Sequence, residues 1–287
     1  MRNLVVNLHL LEQCNYRCRH CFSQFGSPGL LDLSFWEKIV DNILRCYPDC
    51  RINLAGGEPL LLSWIWDLVN HIRQKGAEVS LITNGSLLKA DLLQPNTLSM
   101  IGISIDSFSE NTLVKMGRCT ESGMALSGGQ YRRLCGLVKS SGSDLKINTV
   151  VTRLNLWDDF SPIQEIAPKR WKILRMQTFK TEDFDNSHLA VSDQEYETFC
   201  QKQESLGITF VRENSMRNSY IFVDPAGDLI DNAEGRYDSV GNLLQEDFDL
   251  CLGRLPLDKE LYERRYADNS VPQNTDTLKG VDSRRIA

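Results

Sequence analysis

The chain carries Cys14-Asn15-Tyr16-Arg17-Cys18-Arg19-His20-Cys21, three thiols spaced four and then three residues apart, just after an apolar run from Leu4 to Leu11. Thiolates so spaced can wrap one loop around a cubane iron–sulfur cluster. Three protein ligands leave one iron open to bind and reduce a substrate. A zinc knuckle is the alternative reading. It needs a fourth ligand, for which His20 and His9 are the local candidates, and His20 is wedged against Cys21. Three thiols cannot all pair as disulfides. Cys46, Cys50, Cys119, Cys135, Cys200 and Cys251 are scattered and read as small buried residues or surface thiols.

A second constellation is Asn53-Leu54-Ala55-Gly56-Gly57-Glu58-Pro59, where a second strand is expected to end. Paired glycines let backbone approach a ligand closely, and Glu58 offers a carboxylate to an ammonium group. By itself Gly-Gly-Glu-Pro reads as readily as a turn. Its place at a strand's C-terminal end is where barrel active sites lie.

The elements that must position these groups follow from periodicity. Strands are expected at Leu4–Leu10, Arg51–Leu54, Glu78–Ile82, Ile101–Ile105, Lys146–Val151 and Trp171–Gln177. Helical patterns lie between them. Ser34–Cys46 carries Phe35, Ile39 and Ile43 on one face, and Leu60–Lys75 stops at Gly76. Successive β-then-α units predict an α/β parallel sheet, doubly wound or a partial barrel, over residues 1–178. Residues 179–255 read as an α+β extension packing on it. A helix opens at Ser192, and Ser219–Val223 runs into the turn Asp224-Pro225-Ala226-Gly227 of an expected hairpin. Residues 256–287 form a polar tail, unstructured alone but able to order over a ligand.

Composition narrows the function classes. In 287 residues, 41% apolar and 24% charged, there is ample material for a core. A net charge of −6 argues against a broad nucleic-acid surface, while a few cations focused in a cleft can still bind a small anion. No apolar run is long enough for a membrane span and no signal peptide is evident, so a reducing, cytoplasmic setting without membrane contact is expected.

The Cys-x3-Cys-x2-Cys loop after the first strand, together with Gly56-Gly57-Glu58, resembles the radical S-adenosylmethionine (SAM) superfamily. That resemblance implies a partial (βα)6 TIM-like barrel. It implies a [4Fe–4S] cluster on Cys14, Cys18 and Cys21, and S-adenosylmethionine with its methionine amine at Gly56, Gly57 and Glu58. Glu12-Gln13-Cys14-Asn15-Tyr16-Arg17-Cys18, Thr83-Asn84-Gly85-Ser86-Leu87, Asp106-Ser107-Phe108 and Met116-Gly117-Arg118 narrow it further. With Lys146-Ile147-Asn148-Thr149-Val150-Val151, Arg170-Trp171-Lys172 and Asn218-Ser219-Tyr220, they resemble the viperin family in that order. Viperins make 3′-deoxy-3′,4′-didehydro nucleoside triphosphates, chain terminators for viral polymerases.

The resemblance assigns Tyr16, Phe22, Asn84, Ser104 and Arg118 to S-adenosylmethionine, with Asn84 and Ser104 on ribose hydroxyls and Arg118 on the carboxylate. It assigns Lys146, Arg170 and Lys172 to the triphosphate, with Asn148, two residues beyond Lys146 on the same face, able to reach the nucleotide and Arg236 as a further phosphate candidate. Physical chemistry agrees for three of these, since cations side by side in a barrel suit a triphosphate; ordinary solvated charge at strand ends is the other reading. Tyr220 resembles a tyrosine that delivers a hydrogen atom or proton to the product, and reads equally as a half-buried strand tyrosine. Ser23 and Cys119-Thr120-Glu121-Ser122-Gly123-Met124 depart from the animal pattern and leave the base open among CTP, UTP and GTP. The amphipathic N-terminal helix and C-terminal tryptophan of animal viperins have no counterpart, which implies a shorter, prokaryotic antiviral relative. A one-electron reductant such as flavodoxin or ferredoxin is the implied partner. A peptide-modifying radical enzyme and a non-catalytic iron–sulfur sensor are the alternatives.

Overall fold

The computed structural model describes residues 4–26, 31–180, 184–233 and 236–266. Its strands are β1 (Val5–His9), β2 (Arg51–Ala55), β3 (Glu78–Thr83), β4 (Met100–Ser104), β5 (Asp144–Val151), β6 (Arg170–Arg175), β7 (Val211–Glu213), β8 (Ile221–Val223), β9 (Asp228–Asp231) and β10 (Asp238–Asn242). The α-helices are α1 (Leu33–Cys46), α2 (Ile65–Gln74), α3 (Glu110–Lys115), α4 (Gly128–Ser140), α5 (Pro162–Ile166), α6 (Asp193–Ser205), α7 (Phe248–Arg254) and α8 (Lys259–Tyr266).

All ten strands form one sheet in the order β10-β9-β8-β1-β2-β3-β4-β5-β6-β7. From β8 through β1 to β7 every neighbouring pair is parallel. The expected β–α alternation and the partial barrel of six strands are therefore present. The residues beyond 178 lengthen this sheet at both edges, with β7 beside β6 and the antiparallel β8–β9 hairpin beside β1, while α6 and α7 bury Phe199, Cys200, Phe248 and Cys251 in the same core.

Strand alternation separates the two faces. Ile52, Leu54, Ile101, Ile103, Ile147 and Ile173 are fully buried in the apolar core. That core also holds the buried face of α1, which is Trp36, Ile39, Val40 and Ile43, at helical spacing. Phe35 was expected on that face, but it is 38% exposed and lies under the Lys38 ammonium instead. The other face is polar. Side chains from β1 to β6 meet with Tyr220 and Tyr266 around one cavity of about 20 Å³, which a flat sheet cannot bring about. The sheet is curled, and this is its inner face. Across it Asn7 donates to the Ile221 carbonyl (3.1 Å), Asn53 to Asn7 (2.7 Å) and Ser80 to Asn53 (2.9 Å). Buried amides linked in this way satisfy one another without water.

The chain beyond residue 256, expected to be unstructured alone, is helical as far as Tyr266. Asp258 caps α8 by accepting from the Leu261 amide at 2.9 Å. One turn on, the Tyr262 hydroxyl accepts from the Val5 amide (2.6 Å) and donates to the Val5 carbonyl (3.2 Å). This helix covers the N-terminal end of β1. The rest of the expected tail, 267–287, lies outside the described residues.

Candidate active site

The three cysteines follow β1 on a loop clamped between two turns. On one side the Gly57 amide donates to the Leu11 carbonyl (2.6 Å) and the Glu58 amide to the Gln13 carbonyl (2.9 Å). On the other, the Arg17 amide donates to Gly117 (3.1 Å) and the Arg19 amide to Met116 (2.9 Å). A Cβ on Gly57 would lie 2.0 Å from the Gln13 oxygen, and one on Gly117 2.1 Å from the Arg17 oxygen. The expected close approach at Gly57 is thus to the chain's own cysteine loop. Asn84 adds a third support, donating to the Asn15 side chain at 2.9 Å and to Cys14 Sγ at 3.7 Å. Arg17 Nη1 reaches the Cys14 carbonyl at 2.5 Å.

Glu58 is fully buried and braces the next layer. It accepts from Thr83 (2.7 Å), the Asn84 amide (2.8 Å) and the Leu60 amide (3.2 Å). Burial raises its pKa, against those bonds. Below the loop, Asp106 is fully buried. It accepts from Arg118 Nε and the Val150 amide (2.7 Å), and its Oδ2 lies 3.0 Å from His20 Nε2. Burial alone would raise the Asp106 pKa, but Arg118 and His20 hold it down at about 2.

These contacts separate the two readings of the thiols. His20 Nε2 lies against Asp106, and His9 is boxed by Phe22, Phe25 and Phe222. Neither imidazole meets the three thiols in a closed four-ligand site among the described residues. Among the described residues no three His, Cys, Asp or Glu side chains converge on a single ion. A four-iron cube does not need that, since each cysteine ligates a different iron. All three thiols are free, and burial raises each pKa, that of Cys18 to about 12, with Arg118 opposing. Such thiols become thiolates only when a metal replaces the proton. The donor set therefore fits a [4Fe–4S] cluster. Replacing any one of Cys14, Cys18 or Cys21 with Ala is expected to abolish the brown chromophore and bring bound iron close to zero. Replacing Cys50, buried in the core, should leave four irons per cluster in place, as iron and sulfide analysis will show.

Facing α8 on the inner face lies the cationic cluster. Lys146 and Arg170 are register partners, as are Asn148 and Lys172, so the four form one patch. The patch sits at the N-terminal ends of β5 and β6, the far end of the strands from the cysteine loop. Lys172 donates to Glu213 and, at 3.2 Å, to the Tyr220 hydroxyl. Tyr220 donates to Glu213 at 2.5 Å. Arg265 pairs with the same carboxylate and lies 4.1 Å from the Tyr220 ring. Burial would raise the Glu213 pKa, yet Lys172 and Arg265 bring it down to about 2. Burial lowers Lys172 to about 8, and burial with the neighbouring Lys172 and Arg170 charges pushes Lys146 well down. Lys146 has no ion-pair partner among the described residues.

The predicted site residues thus fall into two groups joined by the inner face. Cys14, Cys18, Cys21, Tyr16, Gly56, Gly57, Glu58, Asn84 and Arg118 gather at the top. Lys146, Asn148, Arg170, Lys172 and Tyr220 gather below. Ser104 ends β4 opposite Asn148, and Phe22 packs by His9 and Phe222. Arg236 does not join them: it precedes edge strand β10, its side chain 69% exposed and its Nε donating to Asp238. Glu213, Arg265, Tyr266, Asn7 and Asp106 were not anticipated. A buried-acid signal existed only at Asp106, inside the quoted Asp106-Ser107-Phe108.

Residues 9–160 match the family model described as the Radical SAM superfamily. An S-adenosylmethionine-dependent nucleotide dehydratase of Selenomonas ruminantium is 38% identical over 269 residues, 91% of this chain and 98% of that protein. The Danio rerio S-adenosylmethionine-dependent nucleotide dehydratase RSAD2 is 29% identical, over 83% of this chain and 70% of its own. Among solved structures, native anSMEcpe with bound AdoMet and Cp18Cys peptide superposes with a TM-score of 0.67 at 17% identity, covering 87% of this chain and 80% of that one. That likeness is one of fold.

Proposed function

Because the chain belongs to the radical SAM superfamily and, within it, to the S-adenosylmethionine-dependent nucleotide dehydratases, we propose that it converts a ribonucleoside triphosphate into its 3′-deoxy-3′,4′-didehydro analogue in antiviral defence. The observation that carries the substrate is the inner-face patch, where Lys146, Arg170, Lys172 and Arg265 face one carboxylate, Glu213. Desolvated cations in excess of their counter-charge favour a polyanion, and Arg170 can grip two phosphate oxygens at once. The peptide-acting alternative has only the fold likeness behind it.

Cys14, Cys18 and Cys21 would hold the [4Fe–4S] cluster, which with S-adenosylmethionine supplies, when bound, the carbon radical that takes hydrogen from ribose C4′. Gly56, Gly57, Tyr16, Phe22, Asn84, Ser104 and Arg118 are the proposed S-adenosylmethionine contacts. Glu58 fits this role because its two oxygens accept from three donors, leaving one lone-pair direction for the methionine ammonium. Lys146, Asn148, Arg170 and Lys172 orient the triphosphate so that C4′ faces upward. Tyr220 then serves as hydrogen or proton donor, its phenol kept neutral by burial and its hydroxyl aimed by Lys172 and Glu213. A flavodoxin or ferredoxin is the proposed electron source. No helix among the described residues is long and apolar enough to cross a membrane.

The test is anaerobic incubation of the reconstituted protein with S-adenosylmethionine, dithionite and CTP, UTP or GTP deuterated only at C4′. One deuterium is expected in the 5′-deoxyadenosine released with the true substrate, and label at C3′ or C5′ should stay in the nucleotide. If no triphosphate raises deoxyadenosine release above the nucleotide-free rate, the reading fails. Lys146→Ala should weaken triphosphate binding by about 1.5–3 kcal/mol, or one to two decades, leaving nucleotide-free cleavage unchanged.

A further inference from the structure

We infer that Asp106 is a positioning residue of the reaction, which holds Arg118 in register with the cysteine loop; this rests on the S-adenosylmethionine contact proposed for Arg118. Asp106 lies two residues past the end of β4, where a chain leaving a sheet is usually free to move. Here it is pinned. Asn155, fully buried, donates to the Asp106 carbonyl at 2.7 Å and to the Val150 carbonyl at 2.9 Å, and accepts from the Thr152 amide at 2.8 Å. One side chain thus ties the end of β4 to the end of β5.

The two oxygens of the Asp106 carboxylate have separate partners. Oδ1 accepts from the Val150 amide at 2.7 Å, inside β5, which fixes the plane of the group. Oδ2 receives Arg118 Nε and lies 3.0 Å from His20 Nε2. His20 stands between Cys18 and Cys21, so a single oxygen atom touches both the cysteine loop and the arginine.

Stability alone does not account for this arrangement. A buried acid–arginine pair stabilises a fold little, if at all, relative to an apolar pair of the same volume. Its effect is on direction. Arg118 has Nε committed to Asp106, and its guanidinium makes no further hydrogen bond among the described residues. That leaves the edge formed by its two terminal nitrogens, which matches a carboxylate bidentately. Fixing Nε fixes the plane of the fork and hence the line along which a carboxylate must approach. Without Asp106 the side chain would regain its other rotamers, and displacements of about 1 Å are enough to cost a hundredfold in a geometry-dependent site.

The test uses the reconstituted holoenzyme and its Asp106→Asn, Arg118→Met and doubly substituted Asp106→Asn/Arg118→Met variants. S-adenosylmethionine binding is measured by calorimetry, and again by the change it causes in the electron paramagnetic resonance of the reduced cluster. Asp106→Asn should keep its iron and its triphosphate affinity, because the glycine clamps and the cationic patch are untouched. Its Kd for S-adenosylmethionine should rise about ten- to hundredfold, with the spectral change absent at concentrations that saturate the wild type. Arg118→Met should behave likewise. The double variant should match Arg118→Met rather than add to it, since Asp106 acts through Arg118. It buries no unpaired charge from this pair, so it serves if Asp106→Asn does not fold. A Kd within about twofold of wild type in Asp106→Asn, or a further fall in affinity from Arg118→Met to the double variant, overturns the inference and leaves the Arg118 contact standing. Loss of iron or of triphosphate binding in folded Asp106→Asn overturns it too, marking a residue of general structure. Wild-type affinity in Arg118→Met overturns the Arg118 contact and the inference together.

Discussion

Alanine at Gly57 is expected to cost the protein its cluster while leaving the sheet folded. The added Cβ would meet the Gln13 oxygen at 2.0 Å, with the Glu12 oxygen and the Gln13 carbonyl carbon both at 2.5 Å. These are backbone atoms, so no side chain can swing aside. The loop itself must move, and Cys14 is the next residue along it. Overpacking of this kind costs about 3 kcal/mol or more, roughly a hundredfold in occupancy of a geometry-dependent site. Gly117→Ala should act from the other side, with backbone strain added by its φ of +72°. Gly136→Ala is the control. Nothing lies within 4 Å of its Cβ, and alanine should stabilise α4 by about 1 kcal/mol. Iron and sulfide per chain, with far-ultraviolet dichroism to show the fold intact, decide the matter; full iron in Gly57→Ala would refute the clamp.

Glu213→Gln is expected to destabilise the ligand-free protein by about 3–5 kcal/mol, because it leaves buried Lys172 and Arg265 without their counter-charge. For a chain of this size that is a fall in Tm of roughly 6–20 °C. A bound triphosphate presents anions to the same cations, so CTP, UTP or GTP should protect the variant more than the wild type. The acid limb supplies a check on sign. The Glu213 pKa is held below its usual 4.5, at about 2, so its contribution is present above pH 4.5 and lost as pH falls toward 2. Glutamine has nothing to lose there, and the two stability curves should converge in acid. Equal Tm values at neutral pH would show that the carboxylate holds nothing together.

The cysteine loop was legible because its chemistry is local: three ligands within eight residues declare themselves whatever the fold. The cations were legible for a different reason, since Lys146, Arg170 and Lys172 open strands whose period-2 pattern puts them on one face. Glu213 lacked any such pattern. It ends a strand of three residues, where neither periodicity nor turn chemistry has enough length to speak. Gly57 shows a subtler limit. Its need for close approach was plain, but sequence does not say whether ligand or chain comes close. Arg265 and Tyr266 sit in a segment too polar to announce a core contact, and α8 forms because Tyr262 anchors it to the Val5 backbone.

Between Glu213 and Tyr220 no β-ladder joins the curled wall among the described residues, and the side chains of Lys172, Glu213, Tyr220 and Arg265 link the two sides. Elsewhere in the wall the spacing of neighbouring strands is set by peptide geometry at about 4.8 Å and cannot be adjusted. On this side the width of the inner-face cavity is fixed by side-chain length. Shortening Glu213 by one methylene, or lengthening its partner, would narrow or widen it without shifting the register of any strand. A fold whose dimensions are otherwise quantised by the ladder thus keeps one continuously variable dimension, and it lies beside the residues that grip the phosphates.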